Sequence, residues 1–320
     1  MKPQRGKVAE TRGYHQMGPL STAMVVIQRY LQEKKERINA ALAALLPPVD
    51  SQSSTLSQAM RYSLLGRGKR IRPILAVAAF EAVDGETECI FPFACAVEMV
   101  HAYSLIHDDL PAMDDDDFRR GRPTTHRLFG EAMAILAGDA LLTEAFQAMS
   151  RGALDHNVDS ALAIDIIYEI SLAAGASGMV GGQAADMEAE GREVNLPTVD
   201  YIHTHKTGAL ILASVRMGAM LGRASPEQLE AITSYGERIG LVFQIVDDVL
   251  NVTGRKAKLG KTVGSDEARK KATYPALVGV TESNRLAESL AEEAIASLEI
   301  LGKPADPLRG IARYLVRRKS

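Results

Sequence analysis

The sequence predicts one all-α domain, and three observations carry that prediction. Apolar residues recur at three- and four-residue spacing through most of the chain, as in VVIQRYLQEKKERINAALAALL at 25–46. Ala- and Leu-rich stretches of good helix propensity dominate, whereas β-branched alternation over a strand's length is scarce. The 320 residues are 46% hydrophobic and 24% charged, which supports a sizeable core and an ordinary polar surface.

Each element has its own local signal. Residues 1–24 read as a loose amino-terminal extension. MKPQRGKVAETRGYHQ carries four basic groups and one acidic group with no apolar core after it, unlike a secretory signal. An unstructured segment, or a true start at Met24, fits it better than a transit peptide does. One domain then runs from 25 to 320, without solenoid repeats, low-complexity tracts or linkers. Its first helix, 25–46, ends before Pro47-Pro48. Further helices are expected at 56–65, 73–83, 91–107, 130–152, 159–180 and 207–222. Ser225 is placed as an N-cap, with Pro226 at the first helical position and Gln228 set for a capping box. The helix so begun should continue to about Val252.

Charge and cysteine usage narrow the function classes. A net charge of −3 gives no global attraction to nucleic acid or to an anionic membrane. No run of some twenty uncharged apolar residues is present, so no transmembrane helix is expected. Cys89 and Cys95, both in an apolar stretch, read as small core residues of a reducing compartment, the cytoplasm.

The chemistry concentrates in HDDLPAMDDDDFRRG (107–121), with six aspartates and two arginines in fifteen positions. Crowded carboxylates raise one another's pKa, so a cation among them would relieve the strain. Upstream, Glu98, His101, Ser104, Leu105 and Asp108 share one helical face. Pro111 interrupts a regular helix and re-aims the later carboxylates. Hard oxygen donors of this kind suit Mg²⁺, which takes one or two carboxylates plus phosphate oxygens; a solvated acidic loop is the alternative.

A second cluster, FQIVDDVLN (243–251), sits in an otherwise apolar helix, with Gln244, Asp247, Asp248 and Asn251 on one face. Charges there are costly unless neutralised, so a cation partner is the economical explanation. Cationic groups lie in GRGKRIRP (66–73) as Lys69, Arg70 and Arg72, then at Arg119 and Arg120, Lys206 with Thr207, and Lys261. Each alone would more often be a solvated surface charge. Beside two acidic sites they imply two polyanion sites, one clamped by metal and one held by basic side chains. The last twelve residues, RGIARYLVRRKS, hold five basic side chains. They read as a solvated helix end favoured by the helix dipole, with a phosphate-facing tail as the lesser alternative. GRKAKLGKT (254–262) misses the P-loop spacing by one residue and follows a helix rather than a strand. No local spacing suggests a covalent nucleophile.

These motifs, with GGQAADM (181–187), KTGAL (206–210) and GKTVGSDEARKKATYPAL (260–277), resemble the trans-isoprenyl diphosphate synthases, most closely the bacterial farnesyl-producing members. The resemblance runs from about residue 25 to the end. It implies an antiparallel helix bundle around a deep central cavity, usually a homodimer. It assigns Asp108, Asp109 and Asp114 to a first metal-binding motif and Asp247 and Asp248 to a second. Together these would hold three Mg²⁺ ions, with Mn²⁺ as a substitute. Arg119, Lys206, Thr207, Gln244 and Lys261 would contact the allylic diphosphate, with Lys206 also serving catalysis. Lys69, Arg72, His101 and Arg120 would bind isopentenyl diphosphate. Tyr103, beside the small Ser104, and the insertion Pro111-Ala112 would limit the cavity and hence product length. Two positions depart from the family pattern: Asn251 stands where Asp is usual and Arg67 where Gly is usual. A geranylgeranyl diphosphate synthase, a terpene cyclase and a noncatalytic partner subunit are the competing expectations. Intact aspartates argue against the partner subunit, and GKRIRP with His101 against the cyclase.

Overall fold

The segment Ile90–Asp108, helix α4, is apolar nearly all round, and the fold places it at the centre. Phe93, Cys95, Val97 and Met99 on its different faces are wholly buried. A helix hydrophobic on every side must be enclosed by others. The computed structural model describes residues 19–49, 54–253 and 273–318.

Before the central helix come α1 (Pro19–Leu45), α2 (Ser54–Leu64) and α3 (Ile71–Ala82). After it come the two-residue strands β1 (Phe118–Arg119) and β2 (Arg122–Pro123), then α5 (Thr125–Phe129) and α6 (Glu131–Asp155). Next are α7 (Ser160–Ala174), α8 (Met179–Ala189), α9 (Leu196–Ile202), a π-helical turn (His203–Gly208) and α10 (Ala209–Leu221). The chain closes with α11 (Pro226–Thr253), α12 (Tyr274–Val278), α13 (Val280–Ser297) and α14 (Asp306–Arg317). Helix α4 packs on α6 and α3, α3 on α10, α10 on α11 and α11 on α13. This is the predicted all-α bundle.

Three boundaries differ from the sequence expectation, each for a local reason. Helix α1 begins at Pro19 and takes in residues assigned to the loose extension, because Pro is compatible with a first helical turn. Residues 1–18 of that extension lie outside the described residues. The expected helix 159–180 breaks after Ala174, where Gly175 and Gly178 weaken it. The expected helix from 207 instead joins α9 through the π-helical turn. The Ser225 capping box forms as read: Gln228 N–H donates to Ser225 Oγ at 3.2 Å and Ser225 N–H to Gln228 Oε1 at 2.9 Å.

Three stretches, Ile90–Asp108, Glu131–Asp155 and Ser160–Ala189, are long and apolar enough to cross a bilayer by length and composition, contrary to the sequence expectation. For the first, 72% of the apolar window is buried, so its hydrophobicity is that of a core helix. The other two windows are less than half buried and present an apolar outer face.

Candidate active site

The GRGKRIRP turn is built around Arg70, which points inward. Its backbone is left-handed (φ 55°), a rare state for a residue with a side chain. The guanidinium repays this by donating to Glu98 Oε1 at 2.6 Å, Asn39 Oδ1 at 2.9 Å and the carbonyls of Leu64 and Gly66. With Arg70 so anchored, its neighbours Lys69 and Arg72 face a cavity of about 270 Å³ that also takes in His101, Arg120 and Asp247. Arg72 is buried, and its Nε has no hydrogen-bond partner among the described residues. Burial pushes its pKa down to about 10, so it stays charged at neutral pH. Burial also lowers Lys69 and Arg120, and it holds His101 well below 6.5 together with the charges of Arg72 and Arg120. So much desolvated positive charge suits a polyanion.

At the carboxyl end of α4 the chain turns back on itself. Asp114 N–H donates to Asp108 C=O at 2.8 Å and Asp115 N–H to Leu110 C=O at 3.0 Å, so Pro111-Ala112 forms a tight bulge and Asp114 returns beside Asp108. Burial raises the Asp108 pKa, as do Asp114 and Asp109, while Lys206 and Arg119 oppose them. The hairpin beyond it was not foreseen. Its turn, Arg120-Gly121, has φ of 54° and 75°, the paired positive values a two-residue hairpin needs. Arg119 then reaches back, donating from Nε to both oxygens of Asp109 at 2.7 and 2.8 Å. Asp109 is therefore bound to Arg119, whereas Asp108 lines a second cavity.

The second acidic pair divides in the same way. The Asp248 side chain is 4% exposed, and it accepts from Gln244 Nε2 at 2.8 Å and from Tyr274 N–H at 3.2 Å, with His203 Nε2 at 3.4 Å. Asp247, 43% exposed, faces the basic cavity and is paired with Arg318. Arg318 is buried, lies 4.4 Å from the centroid of Phe243 and has an Nε with no hydrogen-bond partner among the described residues. This carboxy-terminal residue thus faces the site, and the solvated-tail expectation is corrected for it. The tail's five basic residues were the available signal, but which of them turns inward depends on how α14 docks.

The π-helical turn delivers Lys206 and Thr207. Lys206 Nζ donates to Asp186 Oδ2 at 2.6 Å, and Thr207 Oγ1 to Gln244 Oε1 at 2.9 Å. Close approach of α8 makes this possible, since a Cβ on Gly182 would lie 2.1 Å from Lys206 N. Lys261 lies outside the described residues. The second cavity, about 310 Å³, is lined by Tyr103, Ser104, His107, Asp108, Met113, Met179, Val180, Gln183, Lys206 and Thr207. It shares Arg72 and His101 with the basic cavity. A mainly apolar pocket thus opens beside a cationic one, with carboxylates at their margins.

Among the described residues no three His, Cys, Asp or Glu side chains converge as a protein-only metal cage would. The donor set is nevertheless made of hard carboxylate oxygens: Asp108, Asp114 and Asp247. It fits an ion that draws its remaining ligands from phosphate and water, as Mg²⁺ does.

A helical bundle enclosing such paired cavities defines an enzyme that handles an apolar chain carrying a polyanion. The polyprenyl synthetase family model matches residues 53–300. A farnesyl diphosphate synthase of Geobacillus stearothermophilus is 46% identical over 258 residues, 81% of this chain and 86% of its own. A geranylgeranyl diphosphate synthase of Cyanophora paradoxa is 44% identical over 305 residues, 95% of this chain and 100% of its own. The crystal structure of an FPP/GFPP synthase from Zymomonas mobilis superposes with a TM-score of 0.81 at 37% identity, covering 92% of this chain and 99% of that one. The chain belongs to the polyprenyl synthetase family, the trans-isoprenyl diphosphate synthases, and is a prenyltransferase.

Proposed function

We propose that the protein condenses isopentenyl diphosphate with dimethylallyl and then geranyl diphosphate, releasing (2E,6E)-farnesyl diphosphate. The observation that carries this reading is Tyr103 standing in the wall of the apolar cavity one helical turn and a residue before Asp108, with the basic cavity alongside. Lys69, Arg72, His101, Arg120 and Arg318 are suited to hold the isopentenyl diphosphate. Lys206 and Thr207 are suited to orient the allylic diphosphate at the cavity mouth. Asp108, Asp114 and Asp247 would hold Mg²⁺ (three ions by family resemblance), with Asp109 and Asp248 shaping the site from behind. Bound metal supplies neutralisation of the negative charge that develops on the departing diphosphate.

The allylic C–O bond breaks heterolytically and its electron pair leaves with the diphosphate. The double bond of isopentenyl diphosphate attacks the allylic carbon, and the resulting cation loses a proton to the departed diphosphate. Apolar walls at Met113 and Met179 exclude water that would otherwise trap the cation. Positive side chains placed where charge develops lower the barrier without reorganising.

A homodimer completes the reading. Ile164, Tyr168 and Leu172 form an exposed stripe along α7, and Ile135 and Leu136 of α6 are exposed as well. An apolar face of that kind is suited to cover its copy. Free, buried Cys89 and Cys95 fit a reducing compartment, the cytoplasm.

The test is product analysis with dimethylallyl and isopentenyl diphosphates and Mg²⁺, by chromatography after dephosphorylation. Farnesol as the main product is expected. Geranylgeraniol as the main product would replace the reading with the longer-chain synthase, a cyclic hydrocarbon with a cyclase, and no product with a noncatalytic subunit.

A further inference from the structure

Tyr103 does not stand alone in the wall of the apolar cavity. His107, one turn further along α4, lines the same cavity, and the two rings meet edge to face with centroids 5.7 Å apart and planes at 76°. What holds His107 belongs to another helix. Its Nε2 lies 3.1 Å from the carbonyl oxygen of Ile135 on α6. A carbonyl only accepts, so Nε2 carries the proton and donates. The ring occupies the space above Gly138, one further position along the same face of α6. A Cβ built on Gly138 would lie 2.2 Å from Nε2, 2.6 Å from Cδ2 and 2.9 Å from Cε1 of His107. The imidazole therefore takes the volume that any side chain at 138 would fill.

We infer that His107, seated on Gly138, is a specificity-determining residue that sets product length together with Tyr103. The inference rests on reading the apolar cavity as the chain pocket. A ring drawn back onto α6 leaves the cavity its present depth, and a ring displaced from α6 must move toward Tyr103 and the cavity. Two substitutions then act in opposite directions. His107→Ala removes the ring and extends the cavity to the α6 backbone, so the product lengthens. Gly138→Ala expels the ring into the cavity, so the product shortens. In a His107→Ala background there is no ring to expel, and Gly138→Ala loses its shortening effect.

The experiment uses the full chain with dimethylallyl and isopentenyl diphosphates and Mg²⁺, reading the ratios of geranyl, farnesyl and geranylgeranyl products on whatever turnover each variant retains. A several-fold rise in the geranylgeranyl share is expected for His107→Ala and in the geranyl share for Gly138→Ala, with the double variant resembling His107→Ala. A general loosening of the fold would lower turnover without moving the ratios in opposite senses. An unchanged ratio in folded Gly138→Ala, or a shift of both single variants in one direction, overturns the inference while leaving the synthase reading intact. A wild type that makes no prenyl diphosphate overturns both.

Discussion

Arg70 donates to Glu98 at 2.6 Å, and the two side chains are only 2% and 4% exposed. The pair joins the turn carrying Lys69 and Arg72 to the central helix carrying His101 and Asp108. Removing one partner of a buried ion pair strands the other's charge, which costs about 3–5 kcal/mol. Glu98→Ala should lose stability of that order in chemical denaturation and raise the KM for isopentenyl diphosphate. A loss below about 1 kcal/mol, the range of exposed pairs, would mean that solvent reaches Arg70.

Asp108 and Asp247 face the cavities, so their replacement should strike metal-dependent turnover. Asp108→Ala or Asp247→Ala is expected to lower kcat by orders of magnitude, with a rightward shift of the Mg²⁺ titration. Wild-type turnover in the presence of a chelator would sink the metal assignment.

Tyr103→Ala should deepen the apolar cavity and lengthen the main product, from the proposed farnesyl diphosphate to geranylgeranyl diphosphate or longer. The measurement is the chromatographic profile of dephosphorylated products. A folded, active variant with an unchanged profile would place the limit elsewhere.

His101 edges the cavity, and burial followed by the charges of Arg72, Arg120, Arg119 and Arg70 keeps its folded pKa well below 6.5. The unfolded chain binds this proton first as pH falls, so the neutral ring's contribution is fully present above the unfolded value. It is lost as pH drops from about 6.5 toward the folded value. In metal-free buffer the melting temperature should decline between about pH 7.5 and about pH 5.5, less steeply in His101→Gln. Parallel slopes for the two proteins would show that His101 is not the group responsible.

Much of this arrangement is legible before any coordinates. Helical spacing names the class, Ser225-Pro226 locates the start of α11, and the order of the acidic and basic motifs points to a metal-assisted polyanion site. These are local properties, settled by backbone propensity and by which residue types lie three or four apart. The roles of adjacent residues are not local. Asp108 and Asp109, like Asp247 and Asp248, project about 100° apart around their helices, so the neighbouring elements decide which one faces the cavity. The hairpin turn gives Asp109 to Arg119, and Tyr274 with His203 encloses Asp248. Arg70 and Arg72 look alike in the sequence, yet a left-handed backbone at Arg70 sends one guanidinium to Glu98 and leaves the other at the cavity. The seat of His107 on Gly138, and Arg318 against Asp247, join segments thirty to seventy residues apart. Such contacts follow from how whole helices pack, because packing, rather than the identity of either residue, determines which side chain has room to reach the other.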